Sequence, residues 1–361
     1  MTIQENVGLA PLTTLRVGGA ARYFAEARGE EDVAEAIAFA KIRRAAVFVL
    51  GGGSNLVVAD AGWPGLVLKI GIGGIVSPKP QSAGGNAVLF SVGAGVNWDD
   101  FVAYAVSQNC AGIECLSGIP GSVGGTPVQN VGAYGQEVAE TIESVRALDT
   151  KADRVVTLPR PACGFRYRSS IFNRAGSGEE RGRYIILQVS YRLKRGGAAC
   201  VKYADLQKQF AEAKEKPSLG EVRESVRAIR RQKGMLIEAG DADSRSAGSF
   251  FKNPVLSEAE FRGLAARAEA QGLEIPSYPA LDAQGSDGPR KISAAWLVEH
   301  SGFGKGFGEG EAGISSKHAL ALINRGHARA RDIMELKDAI QRGVESAWGI
   351  VLEPEPVFVG F

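Results

Sequence analysis

Gly51-Gly52-Gly53-Ser54-Asn55 (GGGSN) is the stretch that decides the fold, and it follows directly on the apolar run 47–50 (VFVL), a predicted buried strand. Glycines in this position expose a row of backbone N–H groups, and the missing Cβ atoms let phosphate oxygens come close. A tight β-turn is the alternative for the triplet taken alone. A P-loop and a Rossmann loop are excluded, because no Gly-Lys-Ser/Thr follows and residues 56–58 (LVV) continue as strand.

A second glycine-rich loop, 118–135 (GIPGSVGGTPVQNVGAYG), contains six glycines and two prolines. A flexible linker of this composition would be polar, yet Ile119, Val123 and Tyr134 interrupt the small residues. Two such loops, beginning at residues 51 and 118, favour a long dinucleotide held from both sides.

Composition narrows the classes of protein. The chain has 361 residues, 45% hydrophobic and 23% charged, which is typical of two or three globular domains. The net charge of +2 is spread along the chain and argues against a nucleic-acid surface. No signal peptide and no apolar run of about 20 residues is visible, so we expect a cytoplasmic protein.

The cysteines and histidines give no metal-ligand spacing, so we expect no metal site and free thiols in a reducing compartment. They are Cys110, Cys115, Cys163, Cys200, His300, His318 and His327.

Periodicity and capping signals predict the following elements. The predicted helices are 30–44, 97–109 with Asn97 as N-cap, 137–142, 218–233 with a Ser218/Glu221 capping box, 257–271, 291–301 and 330–347. The predicted strands are 47–50, 56–58, 66–68, 88–96, 143–149, 154–158, 184–193 and 318–324.

Taken together, GGGSN and PVQNVGAYG resemble the UDP-N-acetylenolpyruvoylglucosamine reductase (MurB) family, in the subgroup with a substrate-loop tyrosine. The resemblance implies an α+β fold, with a two-subdomain FAD-binding domain of the vanillyl-alcohol-oxidase/PCMH type and a C-terminal α+β substrate-binding domain. We predict the first subdomain at 1–70, with the tail 356–361 returning to it, the second at 71–217 and the substrate domain at 218–355.

The family resemblance also implies non-covalent FAD and NADPH as hydride donor. The implied cofactor residues are Gly51, Gly52, Gly53, Ser54, Asn55, Leu56, Gly118, Ile119, Pro120, Gly121, Ser122, Gly124, Gly125, Gln129, Asn130, Gly132, Ala133 and Tyr134.

Three catalytic residues are implied by the family's motifs. Arg168 lies in FRYRSSIF, which resembles the YRxSxF motif whose arginine binds the substrate carboxylate, a suitable role for a planar guanidinium. Ser249 lies in SAGSFFKNP and matches the family's proton donor. Glu355 lies in the tail LEPE, and Glu353 is the alternative because Pro356 departs from the usual pattern.

Residues that resemble the family's substrate contacts are Tyr203, Lys233, Asn253 and His318. Taken alone, an arginine in a strand, a serine beside two phenylalanines or a glutamate near a C-terminus would more often be structural or solvated.

The implied reaction is the NADPH-dependent, FAD-mediated reduction of the small molecule UDP-N-acetyl-3-O-(1-carboxyvinyl)-glucosamine to UDP-N-acetylmuramate, a peptidoglycan precursor, by a monomer. Hydride goes to C3, Ser249 gives a proton to C2, and Arg168 and Glu355 stabilise the enolate. Two alternatives stay open: an FAD-dependent oxidase on the same fold, for which Cys115 is the candidate attachment residue, and a non-catalytic nucleotide-binding module.

Overall fold

The structure of the protein is a computed structural model that describes residues 1–77, 86–174, 182–279 and 289–361. Contacts divide the chain into two units. The first unit comprises Met1–Val7, Ala20–Gly53 and Trp63–Gln232, and the second comprises Gly8–Gly19, Ser54–Gly62 and Lys233–Phe361.

The strands are β1 (Ile3–Gly8), β2 (Ala20–Ala27), β3 (Val47–Leu50), β4 (Leu56–Val58), β5 (Trp63–Ile70), β6 (Ile75–Val76), β7 (Ala87–Gly93), β8 (Cys110–Ala111), β9 (Gly132–Ala133), β10 (Gln136–Glu137), β11 (Ile142–Asp149), β12 (Arg154–Pro159), β13 (Tyr184–Arg195), β14 (Ser246–Ser249), β15 (Val255–Leu256), β16 (Ser277–Pro279), β17 (Arg290–Ile292), β18 (Ala312–Ile314), β19 (Ala321–Asn324) and β20 (Val357–Val359). The helices are α1 (Glu30–Arg43), α2 (Trp98–Ser107), α3 (Ile171–Arg174), α4 (Ala204–Gln209), α5 (Leu219–Gln232), α6 (Glu258–Glu269), α7 (Ala294–Glu299) and α8 (Ala330–Trp348).

The described residues of the first unit form two large sheets and the two-stranded sheet of β9 with β10. One large sheet has the order β1-β2-β5-β3, in which β2 and β3 run parallel to β5. The other large sheet has the order β12-β11-β13-β7-β6, and its neighbouring strands are antiparallel. Leu66, Val67 and Leu68 of β5 are all fully buried, on both faces of the sheet. A continuous apolar run of this kind is expected for a central parallel strand. This unit contains the glycine triplet 51–53 and the whole of the second glycine-rich loop, 118–135. Ser54 and Asn55 belong to the second unit.

The second unit is built from short sheets in the orders β14-β19-β18 and β15-β17-β16, and from the parallel pair of β20 with β4. Helix α8 buries Ile333, Ile340, Val344 and Trp348 against its core, four residues on one helical face. Strand β14 ends at Ser249, so this unit carries the SAGSFFKNP motif.

The contact division differs from the predicted domain edges at 218 and 70. Helix α5 belongs to the first unit because Val222, Val226 and Ile229 pack in one cluster with Cys115 and Tyr134. Strand β4 falls within 1–70 in sequence but belongs to the second unit, together with the tail strand β20 that pairs with it. The division of the FAD-binding region into two subdomains stays a prediction.

Two local predictions about helix starts are confirmed. The Asn97 side chain accepts a hydrogen bond from the backbone N–H of Asp100 at the start of α2. At the start of α5 the Ser218 hydroxyl accepts from the backbone N–H of Glu221, and the Glu221 carboxylate accepts from the backbone N–H of Ser218. These caps depend only on neighbouring residues, which is why the sequence reveals them.

The predicted helix 137–142 is wrong. Gln136–Glu137 form β10, Val138–Glu140 form one 3₁₀ turn, and β11 begins at Ile142. Both ends of the segment pair in sheets instead, Gln136 and Glu137 with Ala133 and Gly132, and Ile142 with Tyr191. Between them, Val138 N–H donates to the Val131 carbonyl (2.9 Å) and Ala139 N–H donates to Asn130 Oδ1 (3.1 Å).

The predicted helix 291–301 and strand 318–324 are both shorter in the structure. Ser293 caps α7, and the residues before it pair in β17. Residues 318–320 form a turn before β19, because the His318 imidazole accepts from the backbone N–H of Leu320.

Within the described residues, no helix is both long and apolar enough to cross a membrane. The same ranges contain no group of three or more His, Cys, Asp and Glu residues that could hold a metal ion.

Candidate active site

The two glycine-rich loops touch through their backbones in the first unit. A Cβ on Gly52 would lie 2.5 Å from Gly121 Cα and 2.8 Å from the backbone nitrogen of Ser122. Gly53 and Gly121 adopt φ values of +67° and +126°, which favour glycine. The glycines therefore allow two distant segments of chain to meet without side chains between them.

Polar groups on these loops fit a dinucleotide. Ser122 Oγ is buried and has no hydrogen-bond partner among the described residues, and a Cβ on Gly51 would lie 2.9 Å from it. Within the same ranges the backbone N–H groups of Gly52 and Gly53 also have no partner. Ser122 Oγ and Gly53 are buried, whereas Gly52 is exposed and can bond to solvent. A buried donor needs an acceptor, and the phosphate and ribityl oxygens of FAD are acceptors of the right chemistry.

Other loop N–H groups are not available in this way. The backbone N–H of Gly124 donates to the Ala94 carbonyl (2.8 Å), and that of Gly125 donates to the Ser122 carbonyl (2.9 Å). These predicted cofactor residues shape the loop through bonds within the protein.

Replacing Gly52 by Ala should weaken FAD binding by at least about tenfold, because the new methyl group would push the second loop away by its backbone. Fluorescence titration of the apoprotein with FAD measures this change. Gly73→Ala is the matched control, since no atom lies within 4 Å of a Cβ there and φ is not positive. Equal FAD affinity in the Gly52 variant and the wild type would contradict the contact.

Two predicted cofactor residues have structural partners. The Asn130 amide donates to Glu137 Oε2 (2.8 Å) and to the Arg166 carbonyl (3.2 Å), and Asn130 itself is 1% exposed. The Asn55 amide donates to the Glu355 carbonyl (3.2 Å). Both asparagines therefore fix neighbouring segments through these bonds, and their contact with a cofactor stays a prediction, as it does for the other residues proposed from the motifs.

Arg168 lies in a tight turn closed by Arg166 and Ser169, which exchange backbone hydrogen bonds of 2.8 and 3.1 Å. Its φ of +51° is unusual for a side chain of this size and puts it at the tip of the turn. Arg168 Nη2 donates to the Gly132 carbonyl (2.9 Å), so the predicted carboxylate-binding residue is attached to the second glycine loop. The same turn is fixed by Ser170, whose hydroxyl donates to the Val128 carbonyl (2.6 Å).

Ser249 follows an irregularity in β14. Ser246 is paired with Ile323 and Ser249 with Ala321, so β14 has one more residue than β19 over the same length. The extra residue is accommodated at Gly248, whose φ is +75°. Such bulges re-aim side chains beside active sites, and this one sets the direction of Ser249, which is partly exposed.

The C-terminal tail runs alongside the residues that follow Ser249. Glu355 N–H donates to the Phe250 carbonyl (2.9 Å), and Lys252 N–H donates to the Glu353 carbonyl (2.9 Å). Phe251 and Pro354 form the antiparallel bridge between these two segments. The backbone of Glu355 is thereby held beside that of Phe250, the neighbour of Ser249, although the two motifs are far apart in sequence.

Glu353 and Glu355 differ in their surroundings. The Glu353 side chain is 71% exposed and pairs with Lys252. The Glu355 backbone is fixed at both of its polar groups, by the Phe250 carbonyl and the Asn55 amide. The Glu353 backbone is bound as well, through its carbonyl, so the difference lies in the side chains: Glu353 is exposed and Glu355 is partly exposed. The catalytic role of Glu355 stays a prediction.

His318 and Lys233 are neighbours in the second unit. Burial, followed by the charges of Lys233 and Lys305, lowers the pKa of His318 to about 4. Nδ1 of His318 accepts from the backbone N–H of Leu320 (3.1 Å), so the proton of the neutral ring is on Nε2. Asn253 has a structural contact, because its Oδ1 accepts from the N–H of Ala294 (2.9 Å) at the start of α7.

We expect ¹⁵N NMR of the imidazole to show His318 neutral, in the Nε2–H form, down to about pH 4. The unfolded chain binds this proton from the ordinary pKa of 6.5 downward, so the free energy of unfolding should fall by roughly 2–3 kcal/mol between pH 6.5 and 4. His318→Gln should remove that part of the pH dependence. An imidazole that titrates near 6.5 would contradict the prediction.

Tyr203 lies in the first unit with its ring edge-on to Tyr134, 5.2 Å between centroids. Two further residues near this loop, Asp99 and Arg230, are not indicated by the motifs: Asp99 binds the N–H of Gly118 and Arg230 binds its carbonyl. The arginines along one face of the predicted helix 218–233 could have indicated a role for Arg230. No neighbouring residue in the sequence indicates a role for Asp99.

Two family profiles match the chain. The profile of the UDP-N-acetylenolpyruvoylglucosamine reductase C-terminal domain matches residues 240–359, and an FAD binding domain profile matches residues 21–158. Together with the mixed helices and strands, these matches confirm the predicted fold class of an FAD-binding domain followed by a C-terminal α+β domain.

Whole-chain relatives agree with the profiles. The chain is 42% identical to the UDP-N-acetylenolpyruvoylglucosamine reductase of Thermobifida fusca, over 99% of this chain and 98% of the relative. It is 44% identical to the reductase of Streptomyces avermitilis, over 98% and 93%. The crystal structure of the reductase (MurB) from Thermus caldophilus superposes with a TM-score of 0.65 at 25% identity, covering 99% of this chain and 100% of that one. The chain belongs to the UDP-N-acetylenolpyruvoylglucosamine reductase family.

Proposed function

We propose that this protein reduces the enolpyruvyl ether of UDP-N-acetylglucosamine to UDP-N-acetylmuramate, with non-covalently bound FAD and with NADPH as the electron donor. The observation that carries the proposal is the pairing of the tail with the segment after Ser249, because it brings two motifs of the family to one place. The touching glycine loops, with their partly unused donors, support the dinucleotide cofactor.

The glycine loops would hold FAD, which when bound and reduced by NADPH would supply a hydride for C3 of the vinyl group. The protein's own residues then have to handle the charge that develops on C2 and the carboxylate. Arg168 is proposed to bind that carboxylate, since a guanidinium matches its geometry and its charge. Charge stabilisation by a fixed group of this kind contributes roughly 3–4 kcal/mol in well-studied enzymes.

Ser249 is proposed to give its hydroxyl proton to C2. A serine hydroxyl is a weak acid in water, but the enolate is strongly basic and a positioned donor needs no encounter. The bulge at Gly248 supports this role because it fixes the direction of Ser249. Glu355 is proposed to stabilise the enolate in its protonated form, since a carboxylate there would repel the developing charge.

Substrate recognition is proposed for Tyr203, Lys233, Asn253 and His318. The ammonium group of Lys233 suits a phosphate of the substrate or of the nicotinamide cofactor. A neutral His318 presents an N–H donor at Nε2 without adding charge.

An oxidase with covalently attached flavin is the competing function. Its candidate residue, Cys115, is fully buried, and its thiol donates to the Cys200 carbonyl (3.2 Å). Burial and the neighbouring Glu114 raise the pKa of this thiol, which disfavours the thiolate. Acid precipitation separates the two functions, because covalently attached flavin stays with the protein and bound FAD is released.

The function itself is tested without oxygen. The flavin of the holoprotein is reduced with one equivalent of NADPH, the enolpyruvyl sugar nucleotide is added, and flavin absorbance is followed. Return of oxidised flavin together with formation of UDP-N-acetylmuramate supports the proposal. Flavin that stays reduced would overturn it, and UDP-N-acetylglucosamine is the control substrate because it lacks the vinyl group.

A further inference from the structure

Three arginines of helix α5 face the start of the second glycine loop. Arg223 donates to both oxygens of Asp99 (2.6 and 3.1 Å), and Arg227 also donates to Asp99. Arg230 Nε donates to the Gly118 carbonyl (3.0 Å). The spacing of these residues, at i, i+4 and i+7, places them along one helical face.

The Gly118 peptide units are held from both sides. The backbone N–H of Gly118 donates to Asp99 Oδ1 (2.7 Å), while its carbonyl accepts from Arg230. Burial alone would raise the pKa of Asp99, but hydrogen bonds from Arg223 and Gly118 lower it, so Asp99 is an anion that balances the arginines. One charged cluster thus fixes the residue at which the loop begins.

Arg230 also reaches the other end of the loop. Tyr134 packs in one cluster with Val226 and Ile229 of α5, and a side-chain hydrogen bond to Tyr134 opposes the effect of burial on the pKa of Arg230. Tyr134 is the residue before Gly135, where the loop ends. Gly118 and Tyr134 have φ values of +70° and +48°, so both ends are in the left-handed region. For tyrosine this conformation is costly, and surrounding contacts have to maintain it.

Arg230 is 8% exposed, and a guanidinium in such a place is unfavourable unless its donors are used. Burial lowers the pKa of Arg230, an effect that Tyr134 and Asp99 oppose. The buried guanidinium group of Arg230 therefore interacts with Gly118 and Tyr134, at the two ends of one loop. The nearby anion Asp99 also binds this loop, at Gly118.

We infer that Arg230 is a positioning residue that joins the two ends of the loop 118–135, through Gly118 and Tyr134, and holds the loop in the shape that binds FAD. This inference rests on the proposed function for the identity of the ligand. Arg230 is assigned no contact with the reacting atoms.

The test compares Arg230→Met, Tyr134→Phe and the double variant with the wild type. FAD is removed, and its affinity for the apoprotein is measured by fluorescence. Hydrogen exchange of the loop amides in the apoprotein is measured separately. Arg231→Met is the matched control, because Arg231 is adjacent in the helix and exposed.

Each single variant should weaken FAD binding by roughly 10- to 100-fold. The double variant should bind FAD little more weakly than the single variant that has the lower affinity. Loop amides should exchange faster in both single variants, whereas Arg231→Met should match the wild type. Tyr134→Phe removes one hydroxyl only, so it decides the question if Arg230→Met does not fold.

Additive losses of affinity would overturn the inference, because they would indicate two independent contacts with FAD. Wild-type affinity and exchange in Tyr134→Phe would overturn it too. A wild-type apoprotein that binds no FAD would contradict the proposed function instead, and the exchange rates alone would then decide whether Arg230 fixes the loop.

Discussion

Ser249→Ala should lower kcat by about 10²- to 10⁴-fold while leaving FAD bound and reducible by NADPH. The reason is that the variant lacks the proposed proton donor to C2 but keeps the bulge and the backbone pairing of β14 with β19. Stopped-flow absorbance resolves the two half-reactions. Flavin reduction by NADPH should keep its wild-type rate, and reoxidation by the enolpyruvyl substrate should be slow.

Ser249→Cys is the conservative partner of this variant, because a thiol can also give a proton from the same position. It should recover part of the lost rate, and the recovery separates proton donation from a packing defect. Thermal unfolding of the holoproteins checks that all three are equally folded. Reoxidation of Ser249→Ala at the wild-type rate would remove Ser249 from the chemistry.

The elements that the sequence predicts well are those whose cause is local. The caps at Asn97 and Ser218 need only residues three positions away, and both are present. The predicted helix 137–142 fails for the opposite reason. Both of its ends pair in sheets, with Gly132–Ala133 and with Tyr191, and no pattern within the segment itself reveals those partners.

The candidate site shows the same division. The sequence indicates that another group comes close to the backbone of Gly52. It does not reveal that this group is the backbone of Gly121, because that contact depends on the tertiary fold. Asp99 looks like an ordinary first-turn acid of a helix and is one. Its bond to the Gly118 N–H depends on how the loop folds back, so the sequence alone could not assign it.

The position of the tail is the long-range feature on which the proposed chemistry most depends. The motif LEPE suggests two carboxylates, and the residue pattern does not choose between them. In the structure the Glu353 side chain extends to solvent and Lys252, whereas Glu355 is only partly exposed, which supports the proposed role of Glu355.

Glu355→Gln should therefore lower kcat by about 10²- to 10³-fold, the range seen when one charge-stabilising group of a transition state is removed. The amide keeps the shape, but its N–H is a far weaker acid than the O–H of a protonated carboxyl group, so its hydrogen bond stabilises the enolate much less. KM for the enolpyruvyl substrate should change much less, because the interaction is made mainly as charge develops.

Glu353→Gln is the matched control, with the same chemical change two residues away. Its partner Lys252 forms an exposed ion pair with it, and pairs of this kind contribute little. We expect kcat within about twofold of the wild type, because an exposed side chain paired with Lys252 is given no part in the chemistry. The free energy of unfolding should change by under about 0.5 kcal/mol, as for other surface substitutions. If Glu353→Gln lost the activity and Glu355→Gln kept it, the roles of the two glutamates would be exchanged. If both variants kept near-full activity, no ionisable group from the tail would be needed, and stabilisation of the enolate would fall to Arg168 alone.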